Sequence, residues 1–140
     1  MIDLARREVV TAQRDTPVSE LASMMEKESI GSVVITNDDE PVGIVTDRDI
    51  AIRGFAGGGD SNPREMKAQD VMSESLCLAE EDMGLSEALE RMEEEGVRRL
   101  PICDSSGKLS GIVTFDDLTE LISNEETSMA NVVRSQRPAY

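Results

Sequence analysis

Apolar positions along the chain fall into short blocks whose spacing alternates between strand-like and helix-like. Val9-Val10-Thr11 reads as a short strand. Thr16-Pro17 then offers a capping hydroxyl followed by a proline at the first helical position. Val18, Leu21, Ala22 and Met25 recur at helical spacing, so Met25 reads as a packing residue. Ser32 to Thr36 is rich in β-branched residues and runs into the polar turn Asn37 to Pro41. Val42 to Val45 predicts a further strand, and Asp47 to Arg53 a second helix. The same order returns downstream. Leu85, Ala88, Leu89 and Met92 form a helical stripe, and Leu100 to Cys103 a strand. The turn Asp104 to Gly107, a strand from Leu109 to Val113 and a helix from Phe115 to about Ser123 follow.

The recurrence is a tandem duplication. Asp15 aligns with Asp82, 67 residues on, and the same offset pairs Ala12 with Ala79, Met25 with Met92, and Ile35 with Ile102. After a one-residue slip, Gly43-Ile44-Val45-Thr46 meets Gly111-Ile112-Val113-Thr114, and Asp49 meets Asp117. Matching Glu and Ala could be coincidence among helix formers, but the same Gly-Ile-Val-Thr-x-x-Asp string at one offset is not. The expected fold is α/β (α+β), a repeated β-α-β-β-α unit whose helices cover a small sheet. Residues 1–56 hold the first copy, 57–69 a linker, 70–124 the second copy, and 125–140 a tail. Gly57-Gly58-Gly59 lacks the Gly-Lys-Ser/Thr continuation of a phosphate loop and reads as linker. Arg64 to Ala68 suggests a helical turn, the tail beyond Glu125 with Met129, Val132 and Val133 suggests a helix that packs on the body or a partner, and 134–140 reads as disordered.

Charge changes the picture of partners. There are 29 acidic against 14 basic side chains, for a formal net charge of −15, which argues against nucleic acid. Lysine occurs only at Lys27, Lys67 and Lys108, and aromatics make up 2%. One reading is an acidic surface kept soluble by self-repulsion. The other, which we favour, is a halophile-like chain whose repulsion is screened in molar salt. No long apolar run is available to span a membrane, and no apolar signal core follows the first residues, so a cytoplasmic location is expected. Cys77 and Cys103 form no metal-binding or redox pattern and read as buried, reduced thiols. The absence of histidine removes the commonest general base and metal ligand. No nucleophile–base pair or metal cluster is visible, so no enzymatic activity is expected.

The informative chemistry lies in Thr46-x-x-Asp49 and Thr114-x-x-Asp117. Each fits a capping box, in which hydroxyl and carboxylate satisfy orphan helix amides. The same geometry also suits a nucleotide: the helix start attracts phosphate, and a carboxylate one turn in can accept hydrogen bonds from a vicinal diol.

Together with Val97-Arg98-Arg99-Leu100-Pro101-Ile102, these paired strings resemble the CBS-domain family over about residues 8 to 123. The resemblance implies a CBS pair, or Bateman module, standing alone, with its repeats packed in pseudo-twofold fashion around two clefts. Such clefts commonly hold AMP, ADP, ATP or S-adenosylmethionine as regulatory ligand, with no cofactor required. By that resemblance Asp49 and Asp117 would bind ribose hydroxyls, with Thr46 and Thr114 near the ribose or α-phosphate. Arg48, Arg98 and Arg99 would reach phosphates, and backbone near Val10-Thr11 and Cys77-Leu78 would hold adenine. The copies differ where phosphate charge matters: Gly31-Ser32 stands opposite Arg98-Arg99, and Arg48 opposite Asp116. The implied partners are an adenosine derivative, a second copy in a homodimer, and an unidentified regulated protein, with neither nucleic acid nor membrane. Met24, Leu118 and Leu121 are candidate dimer contacts. The competing expectation is a structural dimerisation module without a physiological nucleotide.

Overall fold

In the computed structural model, which describes residues 2–56 and 62–135, the two copies build two three-stranded sheets of identical order. The first contains β1 (Thr11–Ala12), α1 (Val18–Glu28), β2 (Ser32–Asn37), β3 (Glu40–Thr46) and α2 (Asp47–Ala51), which continues as a π-helical turn, Ile52–Ala56. A short 3-10 turn (Pro63–Glu65) and α3 (Ala68–Val71) lead to the second copy. That copy contains β4 (Ala79–Glu80), α4 (Leu85–Glu95), β5 (Arg99–Cys103), β6 (Leu109–Thr114) and α5 (Phe115–Ser135). The central strand of each sheet is parallel to the short first strand and antiparallel to the third. Registers correspond: Thr11 faces Val34 and Ala12 faces Ile35, as Ala79 faces Ile102.

The leader of each copy crosses to the other. Arg6 exchanges both backbone hydrogen bonds with Ile112 at the open edge of β6, at 3.0 Å each. Ser73, its counterpart, does the same with Ile44 on β3, at 3.0 and 3.1 Å. Ala68, Val71 and Met72, which precede the first strand of the second copy, are buried in the first core beside Leu21, Met25 and Ile35. Ala5, which precedes the first strand of the first copy, packs against the second core of Leu100, Ile102, Val113 and Leu118. This reciprocal exchange joins the halves in pseudo-twofold fashion. It also buries both faces of the central strands: Val34 and Pro101, on the faces away from α1 and α4, are as buried as Ile35 and Ile102.

Local chemistry explains where the boundaries depart from expectation. The first strand is Thr11–Ala12 rather than Val9 to Thr11, because only residues opposite Val34 and Ile35 have a ladder partner. Pro17, not Thr16, is the N-cap of α1; the Thr16 hydroxyl instead accepts from the Gln13 amide at 3.0 Å. Ala22 is exposed, and Met24 half-buried, so the inward stripe is Val18, Leu21 and Met25. Asp38 and Asp39 both take positive φ (50° and 66°), which closes the β2–β3 hairpin in two residues with the twist its strands require. α5 runs past Ser123 to Ser135, since no glycine or proline interrupts it. Arg134 therefore lies in its last turn, and the remainder of the expected disordered end, like Gly57-Gly58-Gly59, falls outside the described residues. Leu118 is a core residue at 1% exposure, so it cannot serve as a dimer contact.

Candidate functional site

Both Thr-x-x-Asp strings form the capping boxes that their spacing allows. Thr46 Oγ1 accepts from the Asp49 amide at 3.1 Å, and Asp49 Oδ2 accepts from the Thr46 amide at 2.9 Å. In the second copy Thr114 Oγ1 accepts from the Asp117 amide at 3.1 Å, and Asp117 Oδ2 accepts from the Thr114 amide at 3.2 Å. The Thr114 hydroxyl also donates to Asp117 Oδ2 at 2.7 Å. Each β-strand thus delivers a half-buried carboxylate to the start of the following helix.

Two clefts lie where these helix starts meet the opposite copy. The first, of about 480 Å³, is bounded by Ile44 and Thr46–Asp49 of copy one and by Ser73, Ser75, Leu76 and Cys77 of the crossing leader. Gly96–Arg99 and Pro101 of copy two close it. Five expected site residues therefore come together here: Thr46, Arg48, Asp49, Arg98 and Arg99. The second cleft, of about 340 Å³, is its pseudo-twofold mate, with Ile112, Thr114 and Asp116 facing Arg6, Glu8, Val9, Val10 and 28–32. Thr114 lines it, whereas Asp117 is not among its lining residues and adjoins it only through its bond to Thr114. Of the residues expected near adenine, Val10 and Cys77 reach the clefts, whereas Thr11 and Leu78 line hollows elsewhere. Larger hollows of about 560 and 700 Å³ open beside the acidic turns at Asp38-Asp39 and Glu80–Asp82. Those lack the helix start and the clustered guanidinium groups.

The clefts differ in charge. Arg48, Arg98 and Arg99 line the first against Asp47 and Asp49, whereas Arg6 and Arg99 line the second against Glu8, Glu28 and Asp116. Arg98 Nη2 pairs with Asp116 Oδ1 at 2.9 Å, and its guanidinium lies 5.2 Å from the Phe115 ring centroid. Arg48 and Arg99 make no side-chain ion pair among the described residues. Arg99 reaches both clefts across Gly31, where a Cβ would stand 3.1 Å from its Nη2.

Arg6 and Ser73 escaped sequence reasoning. Extending the 67-residue offset upstream of the first strand pairs them, and also pairs Asp3 with Asp70. Arg6 Nη2 donates to Asp117 Oδ1 at 2.9 Å. Burial alone would raise the Asp117 carboxyl, but hydrogen bonds from Thr114 and Arg6 outweigh it and hold the group below the usual carboxylate range. Cys77 is half-buried rather than buried; burial first, and the Glu95 charge second, push its thiol above the ordinary value. Cys103 is buried and raised likewise, chiefly by desolvation. No helix among the described residues is long and apolar enough to cross a membrane.

Known proteins are similar to this chain in sequence and fold. The protein MK0525 of Methanopyrus kandleri is 45% identical over 120 residues, which make up 85% of this chain and 60% of that protein. The chain thus spans less than two-thirds of that relative. The CBS domain-containing protein YhcV of Bacillus subtilis is 33% identical over 129 residues, 91% of this chain and 89% of its own. The solved CBS domain pair of MJ0100 matches with a TM-score of 0.78 at 23% identity, over 89% of this chain and 95% of that one. The CBS-domain family model matches twice, at residues 2–53 and 68–124. With one match on each copy, the chain belongs to the CBS-domain family.

Proposed function

We propose that the chain is a non-catalytic sensor of adenine nucleotides, and that its first cleft is the principal ligand site. One observation carries this reading: Thr46, Arg48, Asp49, Arg98 and Arg99 line a single cavity between the copies. Asp49 Oδ1 has no partner among the described residues, so the carboxylate can accept from a ribose hydroxyl without breaking its capping bond. The unpaired guanidinium groups of Arg48 and Arg99 supply local positive charge in a chain of net charge −15. Ile44, Leu76, Val97 and Pro101 provide aliphatic walls for a purine. The MJ0100 CBS pair was solved in complex with 5′-methylthioadenosine and S-adenosylmethionine, which supports an adenosine derivative in this fold.

The ligand bridges residues of both copies, so binding acts on their relative packing. It can regulate a partner only by favouring one arrangement over another. Thermal melts with adenosine, AMP, ADP, ATP and S-adenosylmethionine test the assignment. A ligand at one hundred times its dissociation constant stabilises the fold by about 2.7 kcal/mol. Phosphate-bearing ligands should raise the midpoint most. No shift and no calorimetric heat with AMP, ADP or ATP at millimolar concentration would overturn the proposal in favour of a structural module. A homodimer remains part of the proposal, with half-buried Met24 and Leu121 as its candidate contacts.

A further inference from the structure

We propose that Arg6 is an internal latch on the second cleft: it occupies the Asp117 carboxylate that a ribose diol would otherwise take, and thereby leaves the chain with one open nucleoside site. This inference rests on the ligand class proposed above and concerns how the two clefts divide it.

The argument begins with the leader exchange. Its paired backbone bonds to Ile112 fix Arg6 on the edge of β6, two residues before Thr114. From there the guanidinium reaches Asp117 Oδ1 at 2.9 Å. The other carboxylate oxygen already accepts from the Thr114 hydroxyl and amide. Asp117 Oδ2 thus accepts two hydrogen bonds and Oδ1 one, so a diol that donates both hydroxyls finds a single acceptor site left and must displace either the charged partner or a bond from Thr114. The Asp117 side chain is 20% exposed and that of Arg6 64%, so the carboxylate is the sheltered partner and the guanidinium covers it from the solvent side. In the first cleft the same backbone position is Ser73, equally fixed by Ile44, and its short side chain makes no bond to Asp49. The difference arises from one residue at equivalent places in a duplicated chain. The surrounding charge reinforces it, since Glu8, Glu28 and Asp116 line the latched cleft, where Arg6 is already paired and Arg99 is shared with the first cleft.

Exchanging the two residues tests the latch. The probe is adenosine, which carries the diol but no phosphate, titrated calorimetrically into the native chain, Arg6→Ser and Ser73→Arg. The native chain should bind one adenosine per chain. Arg6→Ser should bind a second, with a gain of about tenfold or more in that cleft's affinity. 2′-Deoxyadenosine should show no such gain. Ser73→Arg should lose the native site. Without ligand, the carbon resonance of the Asp117 carboxyl should titrate at higher pH in Arg6→Ser than in the native chain. Two equal adenosine sites in the native chain, or an Arg6→Ser variant with unchanged stoichiometry and an unmoved Asp117 titration, would overturn the latch while leaving the nucleotide assignment intact. Absence of adenosine and AMP binding in all three chains would instead overturn the functional assignment, and the latch with it.

Discussion

Asp49 and Asp117 occupy matching cap positions, yet their carboxylates have different company. Asp49 has one oxygen uncommitted, whereas Asp117 is held by Thr114 and Arg6. Loss of a hydrogen bond to a charged group costs about 1.5–3 kcal/mol, or roughly one to two decades of affinity. Asp49→Ala should therefore weaken AMP binding by about ten- to a hundredfold, while Asp117→Ala leaves it within about threefold, as read by calorimetry. Equal losses in the two variants would refute this division of labour. Acid stability gives a second test. A carboxyl held below its ordinary pKa of about 3.9 contributes stability above that value and loses it as pH falls through the depressed folded value. Asp117 is such a group, in part through Arg6. Urea melts at pH 7 and pH 3 should show a larger loss for the native chain than for Arg6→Ser.

At the scale of elements, duplicated positions have been filled by different residues under the same geometric demand. α1 and α4 both end on a left-handed residue, Ser29 at φ 53° and Gly96 at φ 63°. A side-chain-bearing residue there costs about 1–2 kcal/mol that glycine avoids. Ser29→Gly should raise the unfolding free energy by about 1 kcal/mol, and Gly96→Ser should lower it similarly. A second demand falls on Gly43 in β3. A Cβ there would meet Met72 Sδ at 2.6 Å and the Ser73 carbonyl oxygen at 3.3 Å, beneath the crossing leader. Gly43→Ala should cost about 1–3 kcal/mol through displacement of buried Met72. A melting midpoint equal to the native one would show that the leader yields freely.

For the whole molecule, charge is the dominant variable. A formal charge of −15 on 140 residues opposes compaction, and salt shortens the reach of that repulsion from about 10 Å at 0.1 M to about 3 Å at 1 M. Molar potassium chloride should raise the melting midpoint well above its low-salt value in circular dichroism. A midpoint independent of salt would count against the halophile-like reading. Light scattering at high salt addresses the proposed homodimer, with a monomer at micromolar concentration as the opposing result. The outer half of α5 changes that question, because Met129, Val132 and Val133 are more than half exposed.

The sequence by itself determined the duplicated unit, the inward stripes apart from Ala22, and the two cap motifs. Each depends on contacts a few residues apart, or on a string such as Gly-Ile-Val-Thr that survives in both copies. It also marked Thr46, Arg48, Asp49, Arg98 and Arg99, although these come from two copies and meet only through folding. What tertiary structure decided was everything carried by the crossing leaders. Arg6 and Ser73 precede the first recognisable strand of their copies, and no local pattern says that each will pair with the other copy's third strand. The second partner of Asp117, beyond its local cap with Thr114, follows from that pairing, since Arg6 lies 111 residues away in the chain. Leu118 likewise looked available on a helix surface until the fold buried it beneath the second sheet. Short-range spacing writes helices, strands and caps into a sequence; which carboxylate is left open depends on long-range contacts that spacing does not encode.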